Sequence, residues 1–382
     1  MRKRHMWVPI ISFGGLKHFN QYTGKNYTVK DVATNPQKQF EVVTFMQDTL
    51  RLDVVFTMME LSCTPEAVSR ANRVVGALPI ESVFQEKHVD QKGVLFGPGF
   101  EFTKENIAKL RYPDINRYDL DIEQHGRSHV FIETMAKLWR KYRNTKVGKI
   151  GYAIGPFTLA ARLLGEEEAT LTMQDDPETF GKFMEYCTEV SIRQACALAE
   201  AGADAVIILD PSTALQTPAY YRDNIVIPVN KISAALHEKS VAVIFHGCGD
   251  STPFLEQMTG LNVDAFSIDE VVDMRRAYDV LTKNGAYLIG NIMASQLAQK
   301  TPAQLAEETR SILREFGDKP NFVLGITCEM PYDTPILSIL AITDAVITHA
   351  MEQLDGQPDA EDSIMSSVLR PQSVEELVCV SN

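Results

Sequence analysis

Polar and apolar positions along this 382-residue chain fall into two alternating textures. Short apolar runs rich in β-branched residues recur, and most are followed by a longer stretch of helical character, the pattern of strands alternating with helices. The first run lies within Met1–Gly14, and seven more follow at Asp53–Thr57, Lys149–Ile154, Ala205–Leu209, Val241–Phe245, Ala265–Ile268, Ala286–Ile289 and Phe322–Gly325. Helix starts are marked by a capping residue followed by proline at Asn35-Pro36, Asp176-Pro177, Thr217-Pro218, Thr252-Pro253, Thr301-Pro302 and Thr334-Pro335. The cap accepts from the first free N–H groups and proline fills a position that needs no donor. The Asn35-Pro36 helix is expected to run to about Leu50.

Alternation of this kind calls for a parallel sheet with helices outside it. Eight strand candidates predict a closed (β/α)₈ barrel, a TIM barrel, rather than an open doubly wound sheet, since about 250 residues suffice for such a barrel and insertions are common. No strand is followed by a Gly-x-Gly-x-x-Gly turn that would mark a nucleotide crevice. Residues 65–145 exceed one strand-to-helix connection and are expected to form an insertion between strands 2 and 3, capping one end, with a helix from about Val130 to Tyr142. The chain thus reads as one barrel domain over 1–352 and an acidic tail over 353–382.

Composition narrows the function. Apolar residues make up 45% and charged residues 23%, as in globular proteins, and no stretch of about twenty apolar residues suggests a membrane span. A formal net charge of −13 argues against nucleic acid as a partner. The basic and apolar amino end holds Pro9 and lacks a small-residue cleavage site, so it reads as a strand rather than a secretory signal. Six cysteines without disulfide-framework spacing point to a reducing compartment, and the expected location is cytoplasmic.

The chemistry is concentrated where strands end. His246 and Cys248 close the fifth strand two positions apart, and Cys328 closes the eighth. In a barrel the carboxyl ends of all strands meet at one face. Two thiols and an imidazole brought together there are a zinc set, with a fourth position left open for substrate. Cys63, Cys187, Cys196 and Cys379 read instead as small core residues. Glu60, Asp210 and Asp269 lie at comparable strand ends, each a candidate fourth ligand, partner to His246 or proton acceptor. Asp269 is followed by Glu270, and a cap or ion pair is an equal reading for it. His125 and His129 are four apart near a helix start and read as packing of the insertion, with no third ligand nearby.

The sequence resembles the uroporphyrinogen decarboxylase superfamily and, within it, the zinc-dependent corrinoid-linked methyltransferases. The resemblance runs from about residue 30 to 350 and rests on Gly155-Pro-Phe-Thr-Leu-Ala-Ala161, Ala201-Gly-Ala-Asp-Ala205 leading to Asp210-Pro-Ser212, His246-Gly-Cys-Gly249, Ser267-Ile-Asp-Glu270, Gly290-Asn-Ile292 and Pro331-Tyr-Asp-Thr-Pro335. It implies a (β/α)₈ barrel, with His246, Cys248 and Cys328 matching the zinc ligands of the methyltransferase branch. The activity implied is methyl transfer between a corrinoid (cobalamin) carried on a partner protein and a small molecule. That molecule is a methyl donor such as an aryl methyl ether or a thiol acceptor such as coenzyme M, and the direction stays open. The insertion over 65–145 is then an expected contact surface or lid for the corrinoid protein. The decarboxylase branch, which needs no metal, is the alternative. Against it, this chain lacks the arginine-rich segment after the first strand, and it carries Cys328 and Glu60 where that branch has a histidine and its catalytic aspartate. A barrel that carries a corrinoid or tetrapyrrole without catalysis is a further alternative.

Overall fold

A computed structural model describes residues 6–72, 103–115 and 126–352. The tail over 353–382, about half of the expected insertion (73–102 and 116–125), including His125, and Cys379 lie outside the described residues.

Eight parallel strands, β1 (Trp7–Val8), β2 (Val54–Phe56), β3 (Gly148–Ile154), β4 (Ala205–Leu209), β5 (Ala242–Gly247), β6 (Ala265–Ile268), β7 (Tyr287–Ile292) and β8 (Phe322–Ile326), form one sheet. Their order is β1-β8-β7-β6-β5-β4-β3-β2, the neighbour sequence of a nearly closed (β/α)₈ barrel. The two ends of that order, β1 and β2, share no ladder pairing among the described residues. The seam between them is bridged by side chains: Trp7 N donates to Asp53 Oδ2 at 3.0 Å, and Met59 N donates to Ser12 Oγ at 2.8 Å.

Helix starts follow the expected capping device at Asn35, Asp176 and Thr301, whereas Thr217 makes no side-chain cap bond and Thr252-Pro253 opens a short 3-10 turn without one. Asn35 Oδ1 accepts from Gln37 N and Lys38 N ahead of Pro36–Leu50, and Thr301 with Gln304 forms a reciprocal capping box ahead of Pro302–Phe316. Within the expected insertion, the helix Cys63–Ala71 follows β2, and Ser128–Tyr142 leads into β3. No described helix is long and apolar enough to cross a membrane.

Register decides which side chains fill the barrel. Paired residues share a face, so His246, paired with Leu209 and Ser267, points the same way as both. Tyr152 pairs with Ile207, and Phe56 pairs with Ile150, two positions before Tyr152. A Cβ on the intervening Gly151 would meet Leu198 of the outer helix Pro177–Glu200 at 3.1 Å, so Gly151 faces the helices and Tyr152 the interior. Strands β2 to β4 therefore turn Phe56, Ile150, Tyr152, Ile154, Ile207 and Leu209 inward. A single hydroxyl interrupts that apolar wall.

Candidate metal centre

His246 lies within β5, which runs two residues beyond the expected Phe245, and Cys248 follows immediately. Cys328 follows β8 by two positions. One donor atom from each of the three falls within 4.8 Å of the others. A tetrahedral zinc ion with Zn–S of about 2.3 Å and Zn–N of about 2.0 Å needs donors roughly 3.5–4 Å apart. Both cysteines are free thiols, partly buried, and His246 is 3% exposed. The residues therefore fit a soft cation with three protein donors and an open fourth position.

The surroundings hold that arrangement. Ser267 Oγ lies 3.0 Å from His246 Nδ1, which leaves Nε2 for the two sulfurs. Asp269 Oδ2 accepts from Gly249 N at 2.9 Å and from Cys248 Sγ at 3.4 Å, while Oδ1 accepts from Val271 N at 3.2 Å. Gly249 adopts φ 88°, a left-handed turn that suits glycine and lets its N–H reach that carboxylate. The hydrogen bond that Cys328 shares with Cys248 holds its pKa well below that of an ordinary thiol, against burial and with help from His246. The same bond, together with burial, pushes Cys248 the other way.

The three carboxylates singled out in the sequence have three different placements. Asp269 touches the donor set as described. Glu60 is turned to a buried ion pair: its Oε2 lies 2.9 Å from Arg127 Nη1, and its Oε1 accepts from Ser62 N and Oγ at 2.9 and 2.6 Å. Arg127 is fully buried, and its Nε lies 2.6 Å from Glu66 Oε2. Asp210 faces the outer layer. Its Oδ1 accepts from Thr158 N and Oγ1 at 2.7 and 2.6 Å, at the start of the helix Pro156–Leu164. Its neighbour Leu209 points inward, so alternation sends Asp210 outward. Burial raises its pKa to about 6, opposed by the Thr158 bonds, and Oδ2 has no partner. His129, half-buried on Ser128–Tyr142, is not among the grouped donors. Cys63 and Cys187 are buried in the core, and Cys196 is partly buried.

Two residues at the mouth were not singled out in the sequence. Glu329 follows Cys328, and its Oε1 accepts from Phe13 N at 2.9 Å. Burial raises its pKa to about 7, opposed by bonds from Ser12 and Phe13 and aided by the charges of Cys328 and Glu60. Glu329 stands in Cys328-Glu-Met-Pro331 at the end of an apolar strand, the same kind of strand-end placement that made Glu60 a candidate. The other is Tyr152, whose burial within the barrel pushes its phenol pKa well up, with Glu329 and Cys328 adding to the effect.

A methylcobamide:CoM methyltransferase, MtbA, of Methanosarcina acetivorans is 25% identical over 312 residues, covering 77% of this chain and 89% of that protein. A uroporphyrinogen decarboxylase of Sorangium cellulosum is 24% identical over 327 residues, covering 82% and 92%. Among solved structures, a methyltransferase from Methanosarcina mazei superposes with a TM-score of 0.68 at 20% identity, covering 90% of this chain and 94% of that one, which establishes the shared fold. Relatives with both kinds of name thus match to nearly the same degree, and what they have in common is the barrel family. That family, described as Uroporphyrinogen decarboxylase (URO-D), matches over residues 93–349, about two thirds of the sequence, and the chain belongs to it.

Proposed function

We propose that the protein is a zinc-dependent methyltransferase that moves a methyl group between a corrinoid on a partner protein and a small molecule. The observation that carries this reading is the convergence of His246, Cys248 and Cys328, with donor atoms within 4.8 Å, at the carboxyl ends of β5 and β8. The methyltransferases among the similar proteins support it. Decarboxylation, the alternative that needs no metal, leaves this donor set unexplained and finds Glu60 already committed to Arg127.

The chain's own residues supply a fixed three-donor cradle. His246 presents Nε2 because Ser267 occupies Nδ1, and the pKa of Cys328, lowered by its bond with Cys248, favours the thiolate that a soft cation needs. Asp269 restrains the turn that carries Cys248 by accepting from Gly249 N. Zinc in this cradle supplies Lewis acidity at its open position, acting on the heteroatom of a methyl donor or on an acceptor thiol. The apolar inward faces of β2 to β4 exclude water from the opposite side of the mouth. The corrinoid protein docks over this mouth, with the 65–145 segment as part of the contact. Free thiols at the centre require a reducing compartment, in keeping with a cytoplasmic location.

The test is metal content by mass spectrometry on protein purified without added metal, for wild type and Cys328→Ser, followed by methyl transfer to and from free cobalamin. About one zinc per chain, strongly reduced in the variant, is the expected result. Absence of zinc in reduced wild type, with no uptake on titration, sinks the reading in favour of decarboxylation or a non-catalytic carrier.

A further inference from the structure

The Tyr152 hydroxyl is one of several buried polar atoms among the described residues without a hydrogen-bond partner, and it is the one that the inward-facing side chains of β2 to β4 carry. The residue is 6% exposed, its Oη is buried, and that atom has no hydrogen-bond partner. Buried hydroxyls are normally partnered, because an unpaired donor forfeits its bonds to water without replacement. The ring is well accommodated, stacked on Phe56 with centroids 5.6 Å apart and planes 21° apart, so phenylalanine would fill the same space. The hydroxyl adds nothing to that packing.

Its position gives it a use. Tyr152 points into the interior from β3, and the charged groups whose fields reach it are Glu329 and Cys328, the latter a member of the metal-binding set. The other inward side chains of β2 to β4, including Phe56, Ile154, Ile207 and Leu209, are apolar. Across the mouth stand the carboxylates of Glu329 and Asp269. A ligand body with one uncharged oxygen would meet apolar wall along β2 to β4 and a waiting donor at Tyr152.

We infer that Tyr152 is a substrate-positioning residue, whose Oη donates a hydrogen bond to an uncharged oxygen, an ether or alcohol, of a small molecule bound by another heteroatom at the His246–Cys248–Cys328 centre. This rests on the methyl-transfer reading of that centre. It narrows the substrate class to neutral oxygen-bearing compounds and makes Tyr152 a determinant of specificity.

The experiment compares wild type with Tyr152→Phe, which keeps the stacked ring and removes only the hydroxyl. Both are loaded with Co²⁺ in place of zinc, so that thiol binding is read from the cobalt spectrum. Each is titrated with 3-mercapto-1-propanol, which carries an acceptor oxygen, and with 1-propanethiol, which does not. Wild type is expected to prefer the alcohol by about 5- to 10-fold, and Tyr152→Phe to lose that preference while binding propanethiol as before. Thermal melting of the metal-free proteins is measured in parallel, and the variant is expected to melt at the same or a higher temperature, since an unpaired hydroxyl has been removed. A merely structural hydroxyl would lower melting and leave the ligand preference unchanged, and either result overturns the inference. Failure of wild type to take up metal overturns the methyl-transfer reading instead, and the melting comparison still decides whether the hydroxyl is committed within the fold.

Discussion

Arg127 Nη1 lies 2.9 Å from Glu60 Oε2, and neither side chain is more than 5% exposed. The same guanidinium holds Glu66, so the negative charge of the loop after β2 is spent on a cation 67 residues away. Glu60 orders this side of the mouth rather than standing free as a base. Arg127→Leu leaves two buried carboxylates without their cation and is expected to cost roughly 3–5 kcal/mol in urea unfolding, the scale for breaking a buried pair. Loss of under 1 kcal/mol would mean that the pair is easily replaced by water.

Ser267 holds the angle of the His246 ring through Nδ1. Ser267→Ala removes that partner without touching a donor atom. Zinc affinity measured by competition with a chromophoric chelator is expected to fall about 10- to 100-fold. An unchanged affinity would show that backbone and packing alone orient the ring.

Burial places the Asp210 carboxyl at about 6, against an ordinary 3.8. Between these values the folded chain holds a proton that the unfolded chain has lost, so this group's contribution to stability falls as pH rises from about 4 to about 6. Asp210→Asn keeps an acceptor for Thr158 and removes the titration. The difference in pH dependence between wild type and variant, measured by denaturant unfolding, is expected to be on the order of 2–3 kcal/mol across that window. Parallel curves would contradict the assignment.

The turn from β3 into Pro156–Leu164 has no room for a side chain at residue 155. A Cβ there would meet Asp210 Cγ at 2.3 Å, and that carboxylate is fixed by two bonds to Thr158. Gly155→Ala is expected to destabilise by about 1–3 kcal/mol, as overpacking does, and to lower the thermal midpoint. Combining it with Asp210→Ala should recover part of the loss, since the clash has two members.

Much of this was legible in the sequence because one physical signal governed it. β4 and β6 fall at the expected residues, β1 lies within the expected first run, and the boundaries of the other five strands shift by only a few residues, since their apolar runs are bounded by turn residues. The metal set was legible because His246, Cys248 and Cys328 are chemically unusual at strand ends, and the barrel brings strand ends together. The carboxylates were harder. Glu60, Asp210 and Asp269 look alike in one dimension, and the difference among them lies in the face of the strand and in remote partners. Leu209 facing inward sends Asp210 to the helices, and Arg127 lies in a segment whose pattern gives no hint of its target. Tyr152 was passed over because it reads as one more large residue in an apolar run, and only register reveals its direction.

The side-chain seam between β1 and β2 makes the barrel a hoop with a buckle. Elsewhere, separating two strands means breaking a ladder of backbone bonds in sequence. Here the bridging bonds at Trp7 N and Met59 N end on Asp53 and Ser12, whose side chains can turn away by rotation about single bonds. The amide protons of Trp7 and Met59 should therefore exchange with solvent earlier than those of β4 and β5, which are paired on both edges. Ser12 also bonds Glu329. The one place where this ring can widen without unzipping thus borders the mouth itself.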